Sequence, residues 1–303
     1  MRRAIVTGCN IAFLPGAIGL LESVRTFHPD VARYCLVPPD EAEQARKVLA
    51  DLAEVSVAPR PIRGVPDKPI LHLLAGRTFI PTFPAEVVAW VDCDVVFCRP
   101  APELWDVPSG KVNAVQDSVY NLGMMVPNDV WEHYVTIFPN MTRDQIGFNA
   151  GIYALRSSEW LNLHELYEAA IAPGRLPYYP PGFDQPLLNG LFHGRINWLP
   201  RAFNCHASYE LGFPPGVRII HYTANPKPWM PGYGAHNPGY YEWALHGEKA
   251  SAQRAFLLRG YRVLATPRRY GYRALRKVLT KIGVWKHTVG VSNGTNNKST
   301  TNT

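Results

Sequence analysis

The sequence has no apolar run that approaches the roughly 18 residues of a membrane-spanning helix. After the first three residues the chain passes directly into the strand-like run Ala4 to Thr7, without the apolar segment of a secretory signal peptide. Its five cysteines are an odd number and show no paired spacing typical of a metal site. These absences argue against a membrane-spanning protein and a disulfide framework, and we expect a soluble cytoplasmic protein with reduced thiols.

Acidic residues are missing from the C-terminal end. From Lys249 onward the chain has 12 Lys and Arg residues and no Asp or Glu, which leaves 19 basic against 24 acidic residues before it. Apolar residues recur there at helical spacing from Leu275 to Trp285, which predicts a basic amphipathic helix. We expect peripheral contact with an anionic membrane through residues 268–287, and we do not expect nucleic-acid binding. The alternative is a helix docked on the body with its basic side in solvent.

The chain of 303 residues, 47% of them hydrophobic, is long enough for a large α/β domain. Short β-type runs alternate with helical patterns in the first hundred residues, which favours βαβ units on a mostly parallel sheet. The expected strands are Ala4 to Thr7, Tyr34 to Val37 and Val55 to Val57, and the expected helices are Ile18 to Phe27, Glu41 to Leu52 and Ile70 to Leu74. Ligands of such sheets bind at the carboxyl ends of the strands, where residues 7–10 and 92–94 fall.

Two carboxylates follow the apolar run from Val87 to Val91, in the order Asp92-Cys93-Asp94. Residues i and i+2 share one face in extended backbone, so we expect both side chains to point at one spot. Buried like charges repel unless a cation lies between them. Mg²⁺ or Mn²⁺ fits this pattern, because hard divalent ions bind carboxylates and substrate phosphates. A strand end that enters a solvated turn is the structural alternative.

Three later segments add polar side chains. Residues 147–155 run from a small-residue turn into a strand and include Asn149, whose amide can bond sugar hydroxyls. Residues 182–189 place Asp184 and Gln185 at the start of a short apolar helix, where Asp184 could equally be an N-cap. Residues 219–229 deliver His221 at a strand end, followed by a proline-fixed turn with Lys227. Each segment taken singly also has a purely structural explanation.

The order of these motifs resembles glycosyltransferase family 8. The motifs are a Val-Thr-Gly strand end, Asp-x-Asp, Phe-Asn-Ala-Gly, Asp-Gln-x-Leu-Asn and His-Tyr/Phe-x(4)-Lys-Pro-Trp, and they span about residues 4–230. The family includes bacterial lipopolysaccharide galactosyl- and glucosyltransferases, galactinol synthase and glycogenin. The resemblance implies a GT-A fold, a UDP-linked sugar donor, Mn²⁺ or Mg²⁺ as cofactor, and transfer with retention of anomeric configuration.

The resemblance also implies roles for single positions. The implied metal ligands are Asp92, Asp94 and His221. The implied contacts to the nucleotide sugar are Thr7, Cys9, Asn10, Lys68, Asp92, Asp117, Asn149, Ala150 and Lys227. The implied catalytic residues are Asp184, Gln185 and Lys227, with Lys227 clamping the donor phosphates. An amide is a poor nucleophile, so unless Asp184 forms a covalent intermediate, the acceptor hydroxyl enters on the side that the diphosphate leaves.

A few positions depart from the family pattern. Cys93 replaces the usual Ala or Ser between the acids, and Cys9 stands where small polar or acidic residues are common. Pro186 follows the Asp-Gln pair, where the first turn of a helix tolerates it. The turn at residues 222–225 lacks the Gly often found between the histidine and Lys227.

We therefore predict a metal-dependent retaining transferase that moves galactose or glucose from a UDP-sugar to a saccharide hydroxyl, on a glycolipid or cell-surface polysaccharide precursor. Residues 1–248 would form the GT-A domain, with a donor half to about residue 120 and an acceptor half from about 121. Residues 249–289 would form the basic helical extension and 290–303 a disordered tail. The enzyme would be cytoplasmic, peripheral on the cytoplasmic face of a membrane.

Three other functions fit parts of the sequence. The first two are a catalytically inactive glycan- or membrane-binding relative and a self-glycosylating, glycogenin-like primer. The third, a sugar nucleotidyltransferase, should open with a Gly-rich phosphate loop, and residues 7–12 do not provide one.

Overall fold

A computed structural model describes residues 1–57, 62–180, 182–207, 213, 216–223, 225–230, 233 and 239–247. The α-helices there are α1 (Leu14–Phe27), α2 (Ala42–Leu49), α3 (Pro69–Ala75), α4 (Leu122–Met125), α5 (Asn128–Ile137), α6 (Leu163–Ala170), α7 (Asp184–Leu191) and α8 (Tyr240–Gly247). The strands are β1 (Arg3–Gly8), β2 (Ala32–Val37), β3 (Glu54–Val57), β4 (Val87–Val91), β5 (Val95–Phe97), β6 (Val112–Asn121), β7 (Ile146–Arg156), β8 (Ile196–Leu199), β9 (Cys205–His206) and β10 (Ile219–His221).

Seven strands form the main sheet, in the order β3-β2-β1-β4-β7-β6-β8. Neighbouring strands from β3 to β4 are parallel, and so are β6 and β8, whereas β7 runs antiparallel to both β4 and β6. The predicted α/β class with a mostly parallel sheet is confirmed. The expected strands and helices of the first hundred residues are present, with α1 starting four residues earlier than its apolar periodicity indicates.

Strand β4 lies at the centre of this sheet. All five of its residues are buried, because apolar side chains cover both faces of the sheet. Val88 and Trp90 belong to the core on one face, and Val87, Ala89 and Val91 belong to the core on the other. A central strand with no solvated face holds the residues at its carboxyl end in a fixed position, and those residues begin with Asp92.

A second, three-stranded sheet has the order β5-β10-β9. The chain enters it directly from β4, because residues 92–94 form the turn between β4 and β5. The backbone N–H of Asp92 still donates to the carbonyl of Gly151 in the main sheet (2.8 Å), whereas the carbonyl of Asp94 accepts from Tyr222 next to β10 (2.9 Å). The expectation that both aspartates lie on extended strand is therefore wrong, since the chain changes sheets between them.

The pairing of β6 with β7 contains a pronounced irregularity. Ala114 pairs with Tyr153, but Gln116 pairs with Phe148, so β7 advances five residues where β6 advances two. The segment expected to run from a small-residue turn into a strand, residues 147–155, lies wholly inside β7, and the residues between Phe148 and Tyr153 form a bulge. Bulges redirect side chains and are common beside active sites.

The predicted basic extension at 249–289 and the tail at 290–303 lie outside the described residues. None of the helices in the described part of the chain combines the length and apolarity needed to cross a bilayer.

Candidate active site

Three predicted metal ligands converge at the point where the two sheets meet. Asp92 and Asp94 come from the turn after β4, and His221 ends β10, where it pairs with Val95 of β5. The ligand atoms of Asp92, Asp94 and His221 all lie within 4.8 Å of one another. The Nε2 atom of His221 is 3.3 Å from Oδ1 of Asp94 and 3.9 Å from Oδ2 of Asp92. Two carboxylates and an imidazole in this arrangement suit Mn²⁺ or Mg²⁺.

Gly151 makes this convergence sterically possible. A Cβ atom at Gly151 would lie 2.3 Å from Cε1 of His221, 2.8 Å from Oδ2 of Asp92 and 2.9 Å from Oδ1 of Asn149. Any side chain there would displace a ligand residue. The glycine in the Phe-Asn-Ala-Gly motif therefore has a steric role in the ligand cluster.

Lys227, in the turn after His221, lies beside Asp94. Its Nζ donates to Oδ2 of Asp94 (2.6 Å) and also to the carbonyl of Tyr222. Burial alone would raise the pKa of Asp94, yet His221 and Lys227 outweigh it and hold that pKa well below its usual range. Asp94 is therefore ionised at neutral pH, as a metal ligand must be.

Trp229 anchors the loop that carries Lys227. Its ring packs edge-on against Phe13, with 5.7 Å between ring centroids, and it fills the space above Gly16 of α1. The tryptophan of the Lys-Pro-Trp motif thus fixes the loop to α1.

Arg77 is the main residue that our sequence analysis missed. It lies in the short 3-10 helix Gly76–Thr82, is buried, and contacts Oδ1 of Asp92 (3.0 Å) and Oδ2 of Asp184 (2.8 Å). Burial opposes its charge, but Asp92 and Asp184 outweigh this effect and raise the pKa of Arg77 above its usual value. No local pattern distinguishes this arginine in the sequence, because its partners are remote in the chain.

Asp184 and Gln185, at the start of α7, have different partners. Burial raises the pKa of Asp184, and Arg77 opposes that rise. The Gln185 amide accepts from the backbone N–H of Ala150 (3.1 Å) and donates to Oδ2 of Asp117 (3.3 Å). Asp117 also accepts from the amide of Asn149 (3.1 Å), so Asp117, Asn149 and Gln185 form one hydrogen-bonded group.

An open pocket of about 350 Å³ lies over this group, a volume within the range of small-molecule sites. Its polar side is lined by Arg77, Asp92, Asn149, Asp184 and Gln185. Its other side is lined by apolar and aromatic residues, among them Leu74, Tyr120, Met124, Met125 and Pro186.

The residues predicted to contact the nucleotide base are arranged less simply. Thr7 is buried, and the thiol of Cys9 lies 3.6 Å from that of Cys35, in the core behind β1. The hydrogen bond to Cys35, together with burial, raises the pKa of Cys9 well above its usual value. Asn10 is partly exposed and its side chain accepts from the N–H of Phe13 (3.2 Å). The predicted contact of Thr7, Cys9 and Asn10 with the nucleotide base stays a prediction.

Lys68 was predicted near the donor sugar and diphosphate. Its side chain is exposed, and it immediately precedes α3. Lys68 takes part in none of the site contacts described above. The basic residue that contacts Asp184 is Arg77. The predicted role of Lys68 remains a prediction.

The fold and the site together define a GT-A glycosyltransferase. The solved structure of the galactosyltransferase LgtC, in complex with donor and acceptor sugar analogs, has the same fold with a TM-score of 0.60. It is 18% identical over 82% of this chain and 96% of its own.

Two further solved structures are similar. The bifunctional glycosyltransferase WbbM is 16% identical with a TM-score of 0.58, covering 86% of this chain and 51% of WbbM. GlyE of Streptococcus pneumoniae TIGR4 is 16% identical with a TM-score of 0.57, covering 87% and 65%.

Residues 4–231 match the family described as Glycosyl transferase family 8, and the chain belongs to that family. No curated protein matches the sequence.

Proposed function

We propose that this glycosyltransferase moves a hexose, galactose or glucose, from a UDP-linked donor to a hydroxyl of a saccharide acceptor, with retention of configuration and in dependence on Mn²⁺ or Mg²⁺. The observation that carries the proposal is the convergence of Asp92, Asp94 and His221 within 4.8 Å, beside a pocket of about 350 Å³, in a member of family 8. We further propose that the acceptor is a glycolipid or polysaccharide precursor and that the basic C-terminal segment brings the enzyme to an anionic membrane.

The charges of the linked residues support a divalent cation. The group has two more negative than positive formal charges, contributed by the carboxylates Asp92, Asp94, Asp117 and Asp184 and by the cations Arg77 and Lys227. His221 adds no charge when neutral. A divalent ion bound by Asp92, Asp94 and His221 would balance this excess, and as a Lewis acid it would stabilise the departing diphosphate.

The basic residues then have separate roles. Lys227 lies at the ligand cluster with its ammonium on Asp94, where it can also bind a donor phosphate. Arg77 is held between Asp92 and Asp184, so its charge is already balanced within the protein. Lys227 therefore contributes to leaving-group stabilisation, and Arg77 pairs with two carboxylates and holds them in place.

The geometry around α7 favours a front-face route. The carboxylate of Asp184 is paired with Arg77, which lowers its nucleophilicity, and both ends of the Gln185 amide are engaged by Ala150 and Asp117. Neither side chain is free to attack the anomeric carbon. We propose that the acceptor hydroxyl enters on the side that the diphosphate leaves and that a donor phosphate oxygen takes its proton.

The test is UDP release from a panel of UDP-sugars without acceptor, in Mn²⁺ and in EDTA. Hydrolysis of one donor in Mn²⁺ is expected, with loss in EDTA and in Asp94→Asn, because both treatments destroy the metal site. Asp144→Asn is the matched control, since Asp144 is exposed and outside the site.

Two results together would overturn the proposal. They are the absence of UDP release from every donor and the absence of Mn²⁺-dependent thermal stabilisation by UDP.

A further inference from the structure

Four buried side chains form a continuous row of hydrogen bonds that ends at the metal-ligand histidine. Asn149 donates from Nδ2 to Oδ2 of Asp117 (3.1 Å), and Asn204 donates from Nδ2 to Oδ1 of Asn149 (3.1 Å). Oδ1 of Asn204 lies 3.0 Å from Nδ1 of His221. All four residues are at least nine-tenths buried.

The groups at one end of this row set its direction. An ionised carboxylate can only accept hydrogen bonds, so Asp117 requires the NH₂ group of Asn149. The backbone N–H of Gly151 can only donate, and it donates to Oδ1 of Asn149 (3.1 Å), which fixes the same orientation of that amide. Oδ1 of Asn149 must then receive the NH₂ group of Asn204, which leaves Oδ1 of Asn204 to face His221.

The consequence for His221 is a defined protonation site. Oδ1 of Asn204 is an acceptor, so Nδ1 of His221 must carry a proton. In the neutral imidazole this leaves the lone pair on Nε2, the atom that faces Asp94 at 3.3 Å and Asp92 at 3.9 Å. A lone pair directed at two carboxylates is stable only with a cation between them, which is the arrangement that a metal ligand needs.

Asn204 is placed by the fold and not by a recognisable motif. It lies between the short 3-10 helix Arg201–Phe203 and β9, and β9 pairs with β10 in the register His206 to His221. Its side chain is 2% exposed and does not line the pocket. Asn204 therefore reaches the site only through the two side chains that it bonds, His221 and Asn149.

We propose that Asn204 is a positioning residue that holds His221 with its proton on Nδ1 and Nε2 directed at the metal, and that Asp117 sets the direction of the row. This inference rests on the metal site of the proposed function. Outer hydrogen-bond partners of ligand histidines typically change metal affinity by roughly 10-fold to 100-fold. Asn204→Leu, which keeps the bulk and removes the acceptor, is expected to weaken Mn²⁺ binding by that factor.

The first experiment reads the ring protons of His221 directly. In the full chain with ¹⁵N-labelled histidine, saturated with diamagnetic Mg²⁺ and UDP, the spectrum of His221 is identified by its absence in His221→Gln. The expected spectrum shows the proton on Nδ1, whereas Asn204→Leu is expected to shift His221 towards the Nε2–H form. The Nε2–H form in the unaltered protein would overturn the proposal.

The second experiment measures Mn²⁺ affinity from the electron paramagnetic resonance signal of free Mn²⁺. Asn204→Asp keeps an acceptor for Nδ1 and is expected to stay within about threefold of the unaltered protein, while Asn204→Leu loses affinity as stated. Asn113→Leu is the matched control, because Asn113 is equally buried but bonds the carbonyls of Glu103, Leu104 and Asp106.

The outcomes separate this inference from the proposed function. Equal Mn²⁺ affinity in Asn204→Leu and the unaltered protein, or an equal loss in Asn113→Leu, overturns the positioning role. A difference in Mn²⁺ affinity between Asn204→Leu and Asn204→Asp supports the positioning role even if the proposed function fails, that is, if no donor releases UDP and UDP gives no Mn²⁺-dependent thermal stabilisation.

Discussion

The two aspartates of Asp92-Cys93-Asp94 have the same side chain but different surroundings. Asp94 is 12% exposed and bound to Lys227 and His221, which follow it on the side of the small sheet. Asp92 is 25% exposed, lines the pocket, and accepts hydrogen bonds from Arg77 (3.0 Å) and Trp90 (2.6 Å) on the side of the main sheet. The pair thus lies at the junction of the two sheets, and each aspartate has its own cation there, Arg77 for Asp92 and Lys227 for Asp94.

This difference shows how a charged site is built inside an apolar fold. Each buried carboxylate needs a cation within hydrogen-bond distance, since an unpaired buried charge is strongly destabilising. Among the described residues, Lys227 forms an ion pair with Asp94, whereas Arg77 forms ion pairs with both Asp92 and Asp184. We therefore expect the loss of Arg77 to lower the free energy of unfolding more than the loss of Lys227.

Arg77→Met should destabilise the folded protein more than any other variant considered. It leaves Asp92 and Asp184 without their shared cation, and the free energy of unfolding is expected to fall by about 3 to 5 kcal/mol in urea titrations. Arg156→Met is the control, because Arg156 is only partly buried and bonds a single carbonyl, that of Val107. Equal losses in the two variants would show that Arg77 has no special role.

Lys227→Met should have a smaller effect on stability, because Lys227 pairs with one carboxylate whereas Arg77 pairs with two. We expect a loss of about 2 kcal/mol, the scale of a hydrogen bond to a charged group. The same variant should bind Mn²⁺ more tightly and UDP more weakly in calorimetry, since the lysine repels the ion and attracts the diphosphate. Lys111→Met, at a lysine that bonds only the carbonyl of Gly194, should change neither affinity. Weaker binding of Mn²⁺ by Lys227→Met would contradict this description.

The smallest effect concerns pH. The pKa of Asp94 is depressed in the folded protein, so the stability it contributes is present above its ordinary value of 3.8 and is lost as pH falls below that value. In EDTA, the difference in unfolding free energy between the unaltered protein and Asp94→Asn should be constant from pH 7 to 5. It should narrow by about 1 kcal/mol by pH 3, as urea titrations at each pH would show. A difference that widens on acidification would reverse the assigned sign.

Asp92, Asp94 and His221 could be proposed as metal ligands from the sequence because the family resemblance assigns them and their motifs lie at short apolar runs. The runs Val87 to Val91 and Ile219 to Ile220 are local patterns, and a polar residue after such a run lies at the edge of a sheet. The extended backbone assumed for Asp92 to Asp94 was wrong, and so was the turn expected at the start of residues 147–155, which lie within β7. The pairing partners that decide both cases, β7 for one and β6 for the other, are distant in the chain.

The sequence by itself determined the α/β class and the family and identified Asp92, Asp94 and His221 as candidate metal ligands, because apolar periodicity and contiguous motifs are properties of neighbouring residues. Only the tertiary structure decided that Arg77 joins Asp92 to Asp184 and that Asn204 bonds His221. Buried ion pairs and hydrogen bonds form between whichever polar groups packing brings together, so their partners depend on the register of both sheets and on the bulge in β7. The local sequence around a single arginine or asparagine does not indicate which groups its side chain will bond.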